Sequence, residues 1–249
     1  MKVFATELKR ALTAPGFSVA AVGTVIAAFI GGFSHINSLL YSGGTESFGE
    51  LYLQAMYVAI HSDTLLLVMP VLCALPFAAS FAEDFQSRFL RAYLPRAGTR
   101  TYLASKTAAT ALSGGLSLFV GMTIVLLICI AIFPSYGFAE EGVKIYTWGT
   151  FFLTSFLVTL GALLWSLVGG MAAAVLRNRY MAYAVPFIIF YVLSSFQPRF
   201  YRTAYAFNPQ EWIKPAHLEF PIALACSFIA LAGACIAYYF VMKRRLRDV

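Results

Sequence analysis

Six stretches of this sequence stay apolar for longer than a water-facing fold tolerates. They run from Phe17 to Leu40, Thr64 to Ala82, Thr107 to Phe133, Trp148 to Leu176, Met181 to Phe196 and Pro221 to Met242. A helix needs about 20 mostly apolar residues to cross a bilayer, and each stretch except the fifth meets that length alone. Of the 249 residues 60% are hydrophobic and 12% charged, where soluble chains run at about 45–50% and about 25%. That balance leaves no room for a separate soluble domain. The reading is an all-α polytopic membrane protein, one transmembrane domain over residues 1–249 with six helical spans.

The segments between the spans carry their own patterns. Phe4, Leu8, Ala11 and Leu12 share one helical face, Lys2, Lys9 and Arg10 lie elsewhere, and Pro15-Gly16 breaks the run. This predicts an N-terminal interfacial helix. The apolar stretch that follows is too long for a secretory signal and no small-residue cleavage site closes it, so the N-terminus is expected to be kept. After a capping box of Ser47 and Glu50, the residues Phe48, Leu51, Tyr52, Ala55, Met56, Ala59 and Ile60 repeat at 3 and 4, predicting an outer-face amphipathic helix. It rests on the headgroups or forms a lid over a path. The fifth stretch is short, contains Pro186, and runs into Gln197 to Phe220, where Phe200, Tyr201, Tyr205, Phe207 and Trp212 mix with charges. Non-helical backbone cannot face lipid, so this segment is read as a re-entrant or interfacial element before the last span.

Lysine and arginine fix an orientation. With both termini inside, only Lys144, Arg199, Arg202 and Lys214 of the 18 basic residues fall outside. This is a strong positive-inside bias. Seven of the 11 acidic residues fall on the outer side: Glu46, Glu50, Asp63, Glu140, Glu141, Glu211 and Glu219. The net charge of +7 is therefore a topology signal, and nucleic acid is not expected as a partner. The chain is placed as a multi-pass protein of the cell (plasma) membrane with both ends cytoplasmic.

The longest inner loop is the most informative. It begins Glu83-Asp84-Phe85 and continues through Arg88, Phe89, Arg91, Tyr93, Pro95 and Arg100 to Lys106 at the start of the third span. Phe85, Phe89 and either Leu90 or Tyr93 fall at helical spacing, Arg88 and Arg91 are a turn apart, and Pro95 is expected to end the helix. Arginines and aromatics are the side chains that anchor protein interfaces. A lipid anchor, with the arginines on anionic headgroups, is the plainer use. Glu83-Asp84 beside so many arginines also suggests a local ion-pair network.

In these features the chain resembles the six-span permeases of ABC-2-type ATP-binding cassette transporters. The resemblance covers the N-terminal helix, six spans with both ends inside, the basic loop and the element before the last span. Its most specific part reads Glu83, Pro95, Thr99, Arg100 and Lys106; many relatives have Gly about four residues after the acidic position, where this chain has Ser87. The resemblance implies that Glu83 to Arg100 is the coupling helix docking on an ATPase subunit. It also implies a second permease copy or a sister permease, and export. The chain contains no G-x-x-x-x-G-K-[ST]: Gly44 to Gly49 is followed by Glu50 and Leu51, without the phosphate-binding lysine and hydroxyl. ATP and Mg are thus expected on separate ABC ATPase subunits, with no cofactor bound directly and no catalytic site here.

Small residues recur every fourth position at Ala162, Ser166, Gly170 and Ala174, and at Ala20, Thr24, Ala28 and Gly32. Such ridges let helix backbones approach closely. Both uses stay open: a face between protomers, or packing within one chain. Other chemistry is thin. Glu140-Glu141 is reminiscent of intramembrane proteases but lacks partner histidines deep in a span. His61 and Asp63 stand at i and i+2, on different helix faces. Cys73, Cys129, Cys226 and Cys235 sit in apolar runs as small core residues. The central parts of the spans contain no ionisable residue, which argues against an ion-coupled secondary transporter. A non-transport scaffold or sensor using the same loop is the remaining alternative.

Overall fold

The computed structural model describes residues 2–41, 51–87, 89–133, 147–201 and 203–248. Arg88, the Ser47 and Glu50 capping pair, the Gly44 to Gly49 segment and Glu140-Glu141 lie outside the described residues, as does the side chain of Arg91.

The chain is all-helical, with no strand among the described residues. The elements are α1 (Lys2–Thr13), α2 (Pro15–Tyr41), α3 (Leu51–Ile60), α4 (Asp63–Ala74), α5 (Ser80–Gln86), α6 (Phe89–Ala97), α7 (Thr99–Ile132), α8 (Trp148–Leu176), α9 (Met181–Phe200), α10 (Pro209–Ile213) and α11 (Phe220–Arg245), with 3-10 turns at Tyr205–Phe207 and Leu246–Asp248. Five helices are long and apolar enough to cross a membrane: Pro15–Ser38, Thr99–Ile132, Trp148–Leu176, Met181–Phe200 and Phe220–Arg245. Tyr52–Ile60 and Asp63–Ala74, bent by 64° at their break, make a sixth when taken together. This is a multi-pass helical membrane protein.

Helix α8 is the hub, packed against α4, α7, α9 and α11. The main core joins α2, α3, α4, α7 and α8 around Met56, Met69, Met122 and Trp165. Val19, Val22, Ile26, Ile30 and Phe33 form an outward stripe on α2, each more than half exposed, as a lipid-facing side requires.

Three expectations are corrected. The stretch from Thr64 to Ala82 is not one helix: α4 stops at Ala74 and a turn separates it from α5. Pro76 has no N–H to return to Leu72 O, and that carbonyl accepts from Leu75 N–H instead. The apolar partner that extends α4 lies before it, not after it. Helix α3 has the periodicity expected of it, but it does not rest on headgroups: Tyr52, Leu53, Ala55, Met56, Ala59 and Ile60 are all buried in the main core. The break at His61-Ser62 is capped by Ser62, whose Oγ accepts from Leu65 N–H and donates to Ala59 O. The fifth span, expected to fall short at Phe196, runs through Pro198 to Phe200.

Candidate functional site

Helix α5 divides its two carboxylates. Glu83 is exposed, whereas Asp84 is buried among Phe81, Ala82 and the facing helices. Asp84 Oδ1 accepts from Arg10 Nη1 at 2.8 Å, and Oδ2 accepts from Lys106 Nζ at 2.6 Å and from Tyr102 OH at 3.2 Å. Lys106 also donates to Glu7 Oε2 at 3.1 Å, and its ammonium sits 4.4 Å from the centre of the Phe77 ring. Two carboxylates and two cations thus close a neutral set, as burial of charge demands. Phe77 adds a cation–π contact. The geometry follows from helical spacing: Tyr102 and Lys106 are four apart on α7, Glu7 and Arg10 three apart on α1. The cluster bolts α1, α5 and α7 together at one end of the bundle.

An ion-pair network is present at Asp84. Among the described side chains its cations are Arg10 from α1 and Lys106 from α7, while Arg88 and the side chain of Arg91 lie outside the described residues. Sequence reasoning misses Glu7, Arg10 and Tyr102 as site residues, although Glu7 carries a readable signal. It stands three residues after Phe4 and four before Ala11, so it shares the apolar face of α1, and a carboxylate on such a face needs a buried cation.

Helix α6 is anchored through Leu90, which is fully buried, with Tyr93 and Leu94 partly so. Phe89 remains 43% exposed and stacks on Tyr93 at 5.0 Å between ring centres. Tyr93 meets the Tyr102 ring edge-on at 5.9 Å. Tyr102 thus belongs to both features, its ring under α6 and its hydroxyl on Asp84. Pro95 does not end the helix; it lies in the last turn, and α6 runs to Ala97. The terminator is Gly98 at φ +76° and ψ 129°, a positive-φ conformation that glycine adopts far more readily than other residues. Arg100, in the first turn of α7, is exposed.

On its other side α5 is tied to the end of α8. Phe85 lies under the Arg177 guanidinium, 5.6 Å from ring centre to Cζ, and Gln86 Nε2 donates to Arg177 O at 2.8 Å. Arg245 of α11 donates to the last-turn carbonyls of Ala174 and Val175, which have no partner within their own helix.

The ridge on α8 is filled from within the chain. Ala162, Ser166, Gly170 and Ala174 are all buried. Ser166 Oγ donates to Thr110 O of α7 at 2.7 Å, and Gly170 leaves room for the Tyr238 ring of α11. Ala20, Thr24, Ala28 and Gly32 on α2 are likewise buried, Gly32 against Ala59 and Thr24 against Gly121.

At the opposite end, the segment before the last span is built around Glu211. It accepts from Ala216 N–H, His217 N–H and His217 Nδ1 at 3.0, 2.9 and 2.8 Å, and the His217 ring stacks on Tyr205 at 4.5 Å. Ile213 is buried against Gly161 of α8. His61 bonds Tyr57 O through Nδ1 and stacks on the Tyr57 ring, while Asp63, the first residue of α4, is exposed. No group of three His, Cys, Asp or Glu among the described residues is disposed to hold a metal ion. No protein-family model matches the chain, and no curated protein matches it.

Proposed function

We propose that this chain is the membrane-spanning subunit of an ABC-2-type transporter in the cell membrane, with both termini cytoplasmic. It works as a dimer with a second copy or a sister permease. ATP and Mg act on separate ATPase subunits, and the cargo, moved outward, is amphipathic or hydrophobic: a peptide, a lipid or a drug.

The observation that carries this reading is the attachment of α6. Its Phe89 side stands free on the arginine-rich side of the bundle, while its other side is wired through Tyr93 and Tyr102 to Asp84. A partner pressing on Phe89 and Tyr93 would move a lever already fixed to α1 and α7 through Arg10 and Lys106. Packed, paired elements of this kind carry displacement between sites. An exposed aromatic such as Phe89, in a loop whose sequence is rich in arginine, also suits a protein surface better than it suits lipid alone.

The test is purification of the tagged full chain in mild detergent, with mass spectrometry and an ATPase assay on the product. A stoichiometric companion carrying a P-loop lysine is expected, and Phe89→Glu, on an exposed position, should insert normally but lose that companion. A wild-type chain that purifies alone in detergents and in nanodiscs removes the transporter reading.

A further inference from the structure

A cleft of about 410 Å³ opens where the α1–α2 corner, the 75–79 turn and the first turn of α9 meet. Its volume lies within the roughly 300–1,000 Å³ of small-molecule sites. Pro15, Val19 and Leu75 give it an apolar wall, and Arg10, Glu83 and Tyr183 bring a guanidinium, a carboxylate and a phenol to it. Val19 is 57% exposed on a membrane-spanning helix, so the mouth opens sideways into lipid. The charged wall lies where α2 and α9 begin and α1 ends, on the arginine-rich side of the membrane. Gly16 makes this corner possible, since a Cβ there would collide with Leu75 O.

The charges select the ligand. Arg10 gives Nη1 to Asp84, and its side chain is still 45% exposed. Its planar fork suits a phosphate. Glu83, unlike Asp84, is turned out of the buried cluster and stands on the cleft wall. Arg10 has guanidinium N–H groups beyond the one given to Asp84, and Glu83, with Arg179 near it, offers an exposed carboxylate on the same cleft wall; a zwitterion presents a partner to each. We propose that the cleft binds the headgroup of a zwitterionic aminophospholipid, with phosphate on Arg10, primary ammonium on Glu83 and the proximal acyl carbons along Pro15, Val19 and Leu75. A primary ammonium has N–H groups to give a carboxylate and a quaternary one has none. This assignment stands apart from the transporter reading and needs no ATPase.

The experiment is native mass spectrometry of the full chain against an equimolar mixture of phosphatidylethanolamine, phosphatidylcholine and phosphatidylglycerol. Phosphatidylethanolamine should be retained about tenfold over each of the others, the factor that one charge-assisted hydrogen bond is worth. Glu83→Gln should bring it to within about twofold of phosphatidylcholine on the same scale, and Val19→Trp, which fills the mouth, should lower retention of all three. Excess soluble glycerophosphoethanolamine should fail to displace the lipid. Equal retention of the ethanolamine and choline lipids by the wild type, which requires no variant to fold, overturns the proposal. So does a preference unchanged in Glu83→Gln, displacement by the soluble headgroup, or selection of phosphatidylglycerol, which would make the cleft an anion site on Arg10 alone.

Discussion

Lys106 and Asp84, on different helices and 22 residues apart, meet at 2.6 Å with no solvent access to the lysine side chain. The same ammonium holds Glu7 from a third helix. Lys106 therefore compensates Glu7 and shares Asp84 with Arg10, and so sets how α1 and α5 sit on α7.

Replacing Lys106 with Met leaves Glu7 and Asp84 without that cation inside the protein. Removing one partner of a buried ion pair costs about 3–5 kcal/mol. Thermal unfolding in detergent should register that loss for Lys106→Met, and a smaller one for Arg10→Met, because Arg10 is 45% exposed and water replaces part of what it provides. Equal stability of Lys106→Met and wild type would mean that the cluster does not hold the three helices.

Close helix contacts give a second contrast. A Cβ on Gly114 would sit 2.5 Å from both Cys73 O and Ser166 Cβ, whereas one on Gly233 meets nothing within 4 Å. Gly114→Ala should destabilise by about 1–3 kcal/mol, the usual cost of overpacking. Gly233→Ala should be neutral or stabilising by up to about 1 kcal/mol from helix propensity. A pair of melting curves measures the difference, and similar values for the two variants would contradict the α4–α7–α8 packing.

What the sequence discloses and what it hides divide along a physical line. Five of the six span positions, the helix at 51–60 and the basic loop are local patterns, and each has its helix. Periodicity cannot say whether an apolar face meets lipid or protein, and so α3, with Met56 and Ala59 in the core, read as a surface helix. Nor does a run of hydropathy reveal a break when turn and helix are equally apolar, as they are from Leu75 to Ala82. The candidate site was half legible. Asp84 and Lys106 stand out as charges flanking apolar runs, but Arg10 is 74 residues from Asp84, and only the docking of α1 on α7 brings it there.

Helix α11 offers a direct test of orientation. Glu219 precedes its first turn and Lys243 lies in its last, both exposed, and 26 residues at about 1.5 Å each outspan a hydrocarbon core of about 30 Å. In a chain with its four cysteines replaced, Glu219→Cys should react with a membrane-impermeant maleimide on intact cells, and Lys243→Cys only after permeabilisation. The opposite pattern would invert the positive-inside assignment.

Glu211 sets the acid limit of the outer element. Burial by itself raises a carboxyl, but hydrogen bonds from His217 Nδ1 and the His217 and Ala216 N–H groups, together with the His217 charge, outweigh it and hold Glu211 below the ordinary carboxylate range. A carboxylate lowered in the folded state contributes stability that is fully present above its unfolded value of about 4.3 and is lost as pH falls through the lower folded value. The 205–219 segment should therefore stay docked from pH 7 to about pH 5 and loosen only below about pH 4. Trp212, whose Nε1 donates to Ala206 O at 2.8 Å, reports this by fluorescence once Trp148 and Trp165 are replaced by Phe. Glu211→Gln should lower stability at neutral pH and abolish the acid step. A transition centred between pH 5 and 7, or an acid step that survives Glu211→Gln, would show that another group holds this segment against α8.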